Sequence, residues 1–252
     1  MIYAPGMGGS AAQAKPYLDK FFQFIEHKLG WPEKSGTAAF LDDEKSVREY
    51  IEKNKPAFAL VPPSFYLDLA CKKEAVTPLV GVVLANATGV MKFHVVVKKG
   101  GAKSLDALKG KKLASNHLED LRFVSNVVFE GKLDAEKHFE LVRTGSPVKP
   151  FKMVDKGEAD AALIADDQLA HMKTLPFGQN LEVVYSSPAL PQAPVIAFDN
   201  TVKPAEREQL KKTLLEMCSS KEGAETCKAM TVSRFVPVDQ KANASAREKY
   251  CK

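Results

Sequence analysis

The chain is most informative first in what it lacks. Its 252 residues contain no apolar run near the roughly 18 needed to span a bilayer, so no membrane helix is expected. No apolar leader with a small-residue cleavage site opens it. Four cysteines, Cys71, Cys218, Cys227 and Cys251, form no CxxC pair, which argues against a structural zinc site. The net charge is only +5, with Lys scattered among Asp and Glu and no basic cluster beside aromatic platforms. Nucleic acid is therefore not expected as a partner.

Motifs of catalysis are missing too. There is no GxSxG elbow, no HExxH, no chain order of Ser, His and Asp, and no carboxylate pair in a convincing setting. The Gly-rich stretch IYAPGMGGS lacks the GKS or GKT ending of a nucleotide phosphate loop. His117-Leu118-Glu119 matches the HxE half of a zinc deaminase, but the PCxxC half is absent. The expectation is a protein that is not an enzyme and uses no cofactor or metal.

What is present is a soluble α/β pattern. A 45% hydrophobic and 27% charged composition suits one large domain or two lobes, each with its own core. The stretch from Val95 to Phe129 organises the rest. Val95, Val96 and Val97 make a β-branched strand, Ser104 caps a short helix over Leu105–Leu108, and Gly110 stops it. A second strand begins at Lys112–Ala114 and ends in the loop Ser115–Glu119. Beyond the loop, Leu121, Val124, Val127 and Val128 recur at helical spacing. Ligands of open α/β sheets sit beyond the carboxyl ends of strands, which makes Ser115 to Arg122 the first place to look.

Other elements follow the same logic. Tyr17, Leu18, Phe21, Phe22, Ile25 and Leu29 form the apolar stripe of a long helix with Ser10 as its cap. Strands are expected at 37–41, 57–61, 77–85, 139–142, 161–165, 181–186 and 195–198, and helices at 44–54, 148–156 and from Pro204 onward. The segment from Ser187 to Pro194 reads as a proline-stiffened loop or sheet edge. Cys218 and Cys227 flank a turn between helices, which leaves a disulfide and a pair of buried thiols both open.

VVVKKGGAKSLDALKGKKLA, followed by GEADAALIADD and SSPALPQAPVIAFD, resembles the phosphate, phosphite and phosphonate branch of the type 2 periplasmic solute-binding proteins. The resemblance runs nearly the length of the chain in element order, and SLDALKGKKLA is its most specific piece. It implies a two-lobed α/β fold, each lobe a mixed sheet flanked by helices, joined by a hinge of two crossing strands. Lobe 1 would hold residues 1–90 and 195–252, lobe 2 residues 91–194, with a ligand cleft between them. The resemblance further implies a periplasmic location, a monomer and a membrane transporter as client.

The same comparison exposes departures. The family places Ser and Thr before the helix that follows KGKKLA, where hydroxyls and helix N–H groups surround an oxyanion. This chain has Glu119, Asp120 and Leu121 there. Ionised carboxylates accept hydrogen bonds and repel a dianion, and Asp120 reads as a plain N-cap. Glu119 then faces solvent or the cleft. The resemblance implies that a residue of the Thr144-Gly145-Ser146 turn helps hold the anion, often followed by a His; Pro147 stands where that His would be, a second loss of a donor.

These losses favour a mostly apolar, hydroxyl-bearing ligand, a sterol-like lipid, over the family's phosphonate, phosphite or phosphate. Glu119 and Gln192 would meet its polar head, with Met7, Phe65, Phe93, Leu118 and Leu121 around its body. By resemblance Ser64, Phe65 and Tyr66 face the cleft from the loop after the 57–61 strand, although Phe65 can equally pack in the core, and Phe93 lies near the family's aromatic ligand contact. Asp166 either faces the cleft or, like Asp167, caps the next helix. His94 reads as a satisfied structural residue.

Overall fold

The computed structural model describes residues 1–5, 11–36, 38–85, 87 and 89–252. Met7, the rest of the Gly-rich loop through Ser10, and Thr37 lie outside the described residues. Among the described residues eleven strands run in chain order: β1 (Ile2–Tyr3), β2 (Phe40–Leu41), β3 (Phe58–Leu60), β4 (Val76–Leu84), β5 (Phe93–Lys98), β6 (Lys112–Ser115), β7 (Glu140–Arg143), β8 (Ala161–Ala165), β9 (Leu181–Ser186), β10 (Ala193–Phe198) and β11 (Val232–Pro237). The α-helices are α1 (Ala11–Leu29), α2 (Glu44–Asn54), α3 (Pro63–Cys71), the single turns α4 (Leu121–Phe123) and α5 (Ala135–His138), then α6 (Lys149–Lys156), α7 (Asp166–Thr174), α8 (Pro204–Met217), α9 (Lys221–Ala229) and α10 (Gln240–Tyr250).

The chain divides into two compact units. One comprises Met1–Ala4, Gly9–Ala85 and Pro191–Gln240; the other comprises Pro5–Gly8, Asn86–Leu190 and Lys241–Lys252. The first is built on a six-stranded sheet in the order β11-β4-β10-β3-β1-β2, the second on a five-stranded sheet in the order β7-β6-β8-β5-β9. Both sheets are mixed. In the first, β1 runs parallel to β2 and β3, while β10 is antiparallel to β3 and β4. In the second, β6 is parallel to β7 and β8, and β5 is antiparallel to β8 and β9.

Apolar runs became the strands that are covered on both faces. All five residues of β8 are buried, as are the first five of β5. In the first unit Phe24, Ile25 and Leu29 of α1 meet Leu210, Leu214 and Met217 of α8 over Leu79, Val80 and Val82 of β4. The opposite face packs Tyr3, Val47, Phe65, Leu69 and Ile196. In the second unit Phe151 and Val154 of α6 and Leu169 of α7 cover Val96, Ala114 and Ile164. Burying each such side chain contributes on the order of 1.5–3 kcal/mol against the entropy of ordering it.

Local signals set the boundaries. Asp43 caps α2 by accepting the Ser46 N–H at 2.9 Å, and Gly157 ends α6 at φ 75°, a backbone conformation glycine adopts without a Cβ penalty. Ser104 accepts the Ala107 N–H at 3.3 Å, although the turn it supports, Asp106–Leu108, is 3-10 and not α-helical. Cys218 and Cys227 form a disulfide between α8 and α9, and no described cysteine is free. That closes the alternative of free thiols.

Four expectations need correction. Tyr17 is exposed and Phe24 takes its place in the α1 stripe. The apolar repeat at 121–128 gives one α-turn and then a π-helical turn over Val124–Val128, which still buries all three valines. Ala193 and Pro194 belong to β10, a central strand; the missing Pro194 N–H is tolerated because β3 ends at Leu60, and the Pro194 carbonyl accepts from Val61 at 3.2 Å. The tail 241–252 belongs with the second unit and not with the first. Among its contacts, Tyr250 donates its hydroxyl to Asp120 at 2.8 Å, Lys249 pairs with Glu130 at 3.2 Å, and Arg122 lies 4.8 Å from the Tyr250 ring centre.

Candidate functional site

The second unit gathers its polar residues at one end. The parallel strands β6, β7 and β8 all finish there, and because Phe93 pairs with Ala165 and His94 with Ser186, β5 begins and β9 ends at the same rim. Of the ten buried polar or charged residues described in the whole chain, seven lie at this rim or in the loops leaving it: His94, Ser115, Asn116, Thr144, Asp166, Gln168 and Ser187. Buried polar groups cost free energy unless they are bonded, so a concentration this strong needs a complete set of partners.

The partners are present. Ser115 donates to the Leu163 carbonyl at 2.6 Å and accepts the His117 N–H at 2.9 Å, which fixes the loop after β6. Gln168 is the hub. Its carbonyl oxygen accepts the Ala165 N–H at 2.8 Å and meets His117 Nε2 at 2.7 Å, while its amide donates to Asn116 Oδ1 at 2.9 Å and to the Pro147 carbonyl at 2.7 Å. His117 must therefore carry its proton on Nε2. Burial holds its pKa below the usual histidine value despite the Gln168 bond that favours the charged form.

A second chain crosses the same rim. His94 Nδ1 lies 2.8 Å from the Ser186 hydroxyl, and its Nε2 lies 3.4 Å from Asp166. Burial lowers the His94 pKa; the Asp166 carboxylate opposes that shift, and Lys92 and Lys173 reinforce it. Ser187 completes the edge, accepting the Phe93 N–H at 3.0 Å and donating to the Pro188 carbonyl at 2.8 Å.

The predicted site residues distribute unevenly. Phe93, Leu118, Glu119, Leu121 and Asp166 all belong to this rim. Phe93 is buried, with its ring 5.2 Å from His117 and 5.8 Å from Phe123, and Leu118 is buried beneath the loop. Both rings and stems are committed to packing. Glu119 is exposed and Leu121 is half-buried. Asp120 is an N-cap, accepting the Phe123 N–H at 2.9 Å, so a carboxylate occupies the helix start where the resemblance implies an oxyanion. Asp166 sits beside His94; neither it nor Asp167 is the cap of α7, whose entry is closed by the Gln168 side chain reaching back to Ala165.

Ser64, Phe65, Tyr66 and Gln192 belong to the first unit. Ser64 is buried, Tyr66 and Gln192 are half-buried, and Gln192 Cβ stands 2.7 Å from where a Cβ on Gly81 would be. Phe65 is a core residue, 5.2 Å from Tyr3 and under the Arg48 guanidinium at 5.1 Å. The apolar space described in that unit is a cavity of about 60 Å³ walled by Phe21, Phe22, Trp31, Phe58, Leu214 and Phe235. Pockets for drug-sized ligands run to about 300–1,000 Å³, so this one is too small for a sterol.

Sequence reading marked the loop that holds Asn116 and read His94 as a satisfied residue, but it missed Gln168. The bonds that tie Gln168 to His117 and Asn116, and His94 to Asp166, span 51, 52 and 72 positions, beyond any local motif. The available signal was a run of polar residues directly after apolar strands. Among the described residues no group of three or more His, Cys, Asp and Glu could hold a metal ion, and no helix is long and apolar enough to cross a membrane.

A family model described as ABC transporter, phosphonate, periplasmic substrate-binding protein matches residues 9–242. No curated protein matches the chain in sequence. Solved structures match it at low identity. A Xanthomonas citri protein bound to ATP superposes with a TM-score of 0.76 at 15% identity, covering 99% of this chain and 95% of that one. A binding-protein component of an ABC phosphonate transporter from Pseudomonas aeruginosa gives 0.70 at 15%, with 98% and 83% coverage. PhnD1 of Prochlorococcus marinus, in complex with methylphosphonate, gives 0.66 at 14%, with 98% and 95% coverage. These likenesses carry the two-lobed α/β fold of periplasmic binding proteins; the family match carries the role, that of a substrate-binding component of a transporter. The chain belongs to the phosphonate-binding family of periplasmic ABC-transporter substrate-binding proteins.

Proposed function

We propose that the protein captures a small tetrahedral oxyanion, a phosphonate, phosphite or phosphate, at the polar rim of its second unit and delivers it to an ABC importer from the periplasm. The observation that carries this reading is the concentration of seven buried polar residues at the strand ends of that unit. Such an array is fixed before a ligand arrives, and a small charged ligand needs fixed dipoles in a few places. The family match supports the same ligand class, and methylphosphonate is what PhnD1 holds.

A sterol-like cargo loses its support. Phe93 and Leu118, offered as its walls, are packed into the second unit, and Phe65 is core. The oxyanion reading has to accommodate the loss of the hydroxyl run at the helix start, since Asp120 fills that position.

Calorimetric titration of the purified protein with methylphosphonate, phosphite, phosphate and a water-dispersed sterol tests the choice. Saturable heat with at least one oxyanion and none with the sterol is expected. Binding of the sterol alone would overturn the proposal.

A further inference from the structure

The oxyanion reading leaves a question that the rim itself answers: what replaces the missing hydroxyls. Resting on that reading, we propose that Arg143, a residue outside every expected site position, grips the ligand's negative charge. Arg143 is the last residue of β7 and lies opposite Ser115 in the register of β6, so it stands at the rim where the strands end. The Thr144 N–H bonds the Ser115 carbonyl at 2.9 Å and keeps the two strand ends together at this point.

The side chain reaches across to the very loop that lost its donors. Its Nε donates to the Leu118 carbonyl at 3.3 Å, while the residue as a whole is exposed. Bonding at Nε fixes the plane of the guanidinium and leaves the two terminal nitrogens as a forward fork. Two parallel N–H donors of that kind match two oxygens of a tetrahedral anion, which a point-charge lysine does not do.

The charges at the rim agree. Among the described residues Arg143 makes no ion pair with a carboxylate, and its rim neighbour Arg122 lies over the Tyr250 ring. Of the acids there, Asp120 is bonded to the Phe123 N–H and the Tyr250 hydroxyl, Asp166 lies beside His94, and Glu119 is exposed. A guanidinium held in place without a counter-charge is a receptor for an anion supplied from solution. It also restores, by a different residue type on a different strand, the attraction that Glu119 and Asp120 removed.

The test titrates methylphosphonate and phosphite into wild type, Arg143→Ala and Arg143→Lys, with thermal melts to check folding. Arg143→Ala should weaken binding at least about tenfold with an unchanged melt, because charge-assisted bidentate bonds are lost. Arg143→Lys, keeping charge without the fork, should fall between. A wild-type affinity in Arg143→Ala overturns the inference while leaving the oxyanion reading standing; no binding of either anion by wild type overturns both. Phenylglyoxal labelling of the wild type gives an answer that does not depend on a variant folding. Peptide mass spectrometry should show modification at Arg143 slowed by saturating methylphosphonate, and equal rates with and without it would again overturn the inference.

Discussion

The two units solve the same packing problem with opposite chemistry at their interiors. The first buries carbon: its described interior holds aromatic rings from α1, β3 and β11 around a small apolar cavity, and its described buried polar residues are few, Glu26, Ser64 and Thr226. The second closes one end of its sheet with bonded amides, imidazoles and hydroxyls. A sheet needs no such network to be stable, since an apolar end of equal size would pack as well. That asymmetry is the ground for proposing that recognition lies in the second unit.

The sharpest way to break this comparison is at Gln168. Replacing it with Leu removes four hydrogen bonds, among them those to the Ala165 N–H, His117 and the Pro147 carbonyl, which should cost about 3 kcal/mol or more. Urea unfolding measures it; a loss below about 1 kcal/mol would mean that the network is ornamental. The matching lesion in the first unit is Cys218→Ser with Cys227→Ser. Opening a loop of 9 residues' separation should cost about 2–3 kcal/mol while leaving oxyanion affinity unchanged. A large affinity loss in that variant would place recognition in both units.

pH probes the second unit's buried histidines next. His94 and His117 are held below their unfolded value of about 6.5 by burial, so the folded state binds fewer protons than the unfolded one. Their contribution is complete above pH of about 6.5 and is lost as pH falls through their folded values. Melting temperature should decline from about pH 7 downward, and His94→Gln should flatten that slope. The first unit's Glu26 behaves differently. Backbone N–H groups of Gly36 and Lys34 hold its carboxyl below the usual range against the opposing effect of burial, so its contribution survives until the acid limb near about pH 4. An unchanged slope in His94→Gln would remove that histidine from the account. The smallest expected effect is Val82→Ile, which pushes one methylene into the first unit's cavity and should add up to about 1 kcal/mol.

Much of this architecture could be read from residue patterns, and the reasons are local. Apolar runs such as Ala161–Ala165 and Val95–Val97 have one stable fate in an α/β chain, and Gly157 and Asp43 announce helix ends by their own backbone and side-chain chemistry. The family resemblance came from the same stretches. The site was far less legible. Asp120 reads correctly as a cap because capping acts over three residues. Gln168 and Arg143 could not be read, since each matters through a partner on another loop. Weighing only the donors that had been lost led toward an apolar ligand. The donor that replaces them sits on β7, where residue order gives no hint that its side chain turns toward Leu118.

Backbone amide chemical-shift mapping with methylphosphonate tests the central claim most directly. The account predicts that the perturbed amides are those of the second unit's rim, Asn116 to Leu118, Arg143 to Ser146 and Asp166 to Gln168. Perturbations confined to the first unit, around Trp31 and Phe58, would contradict it.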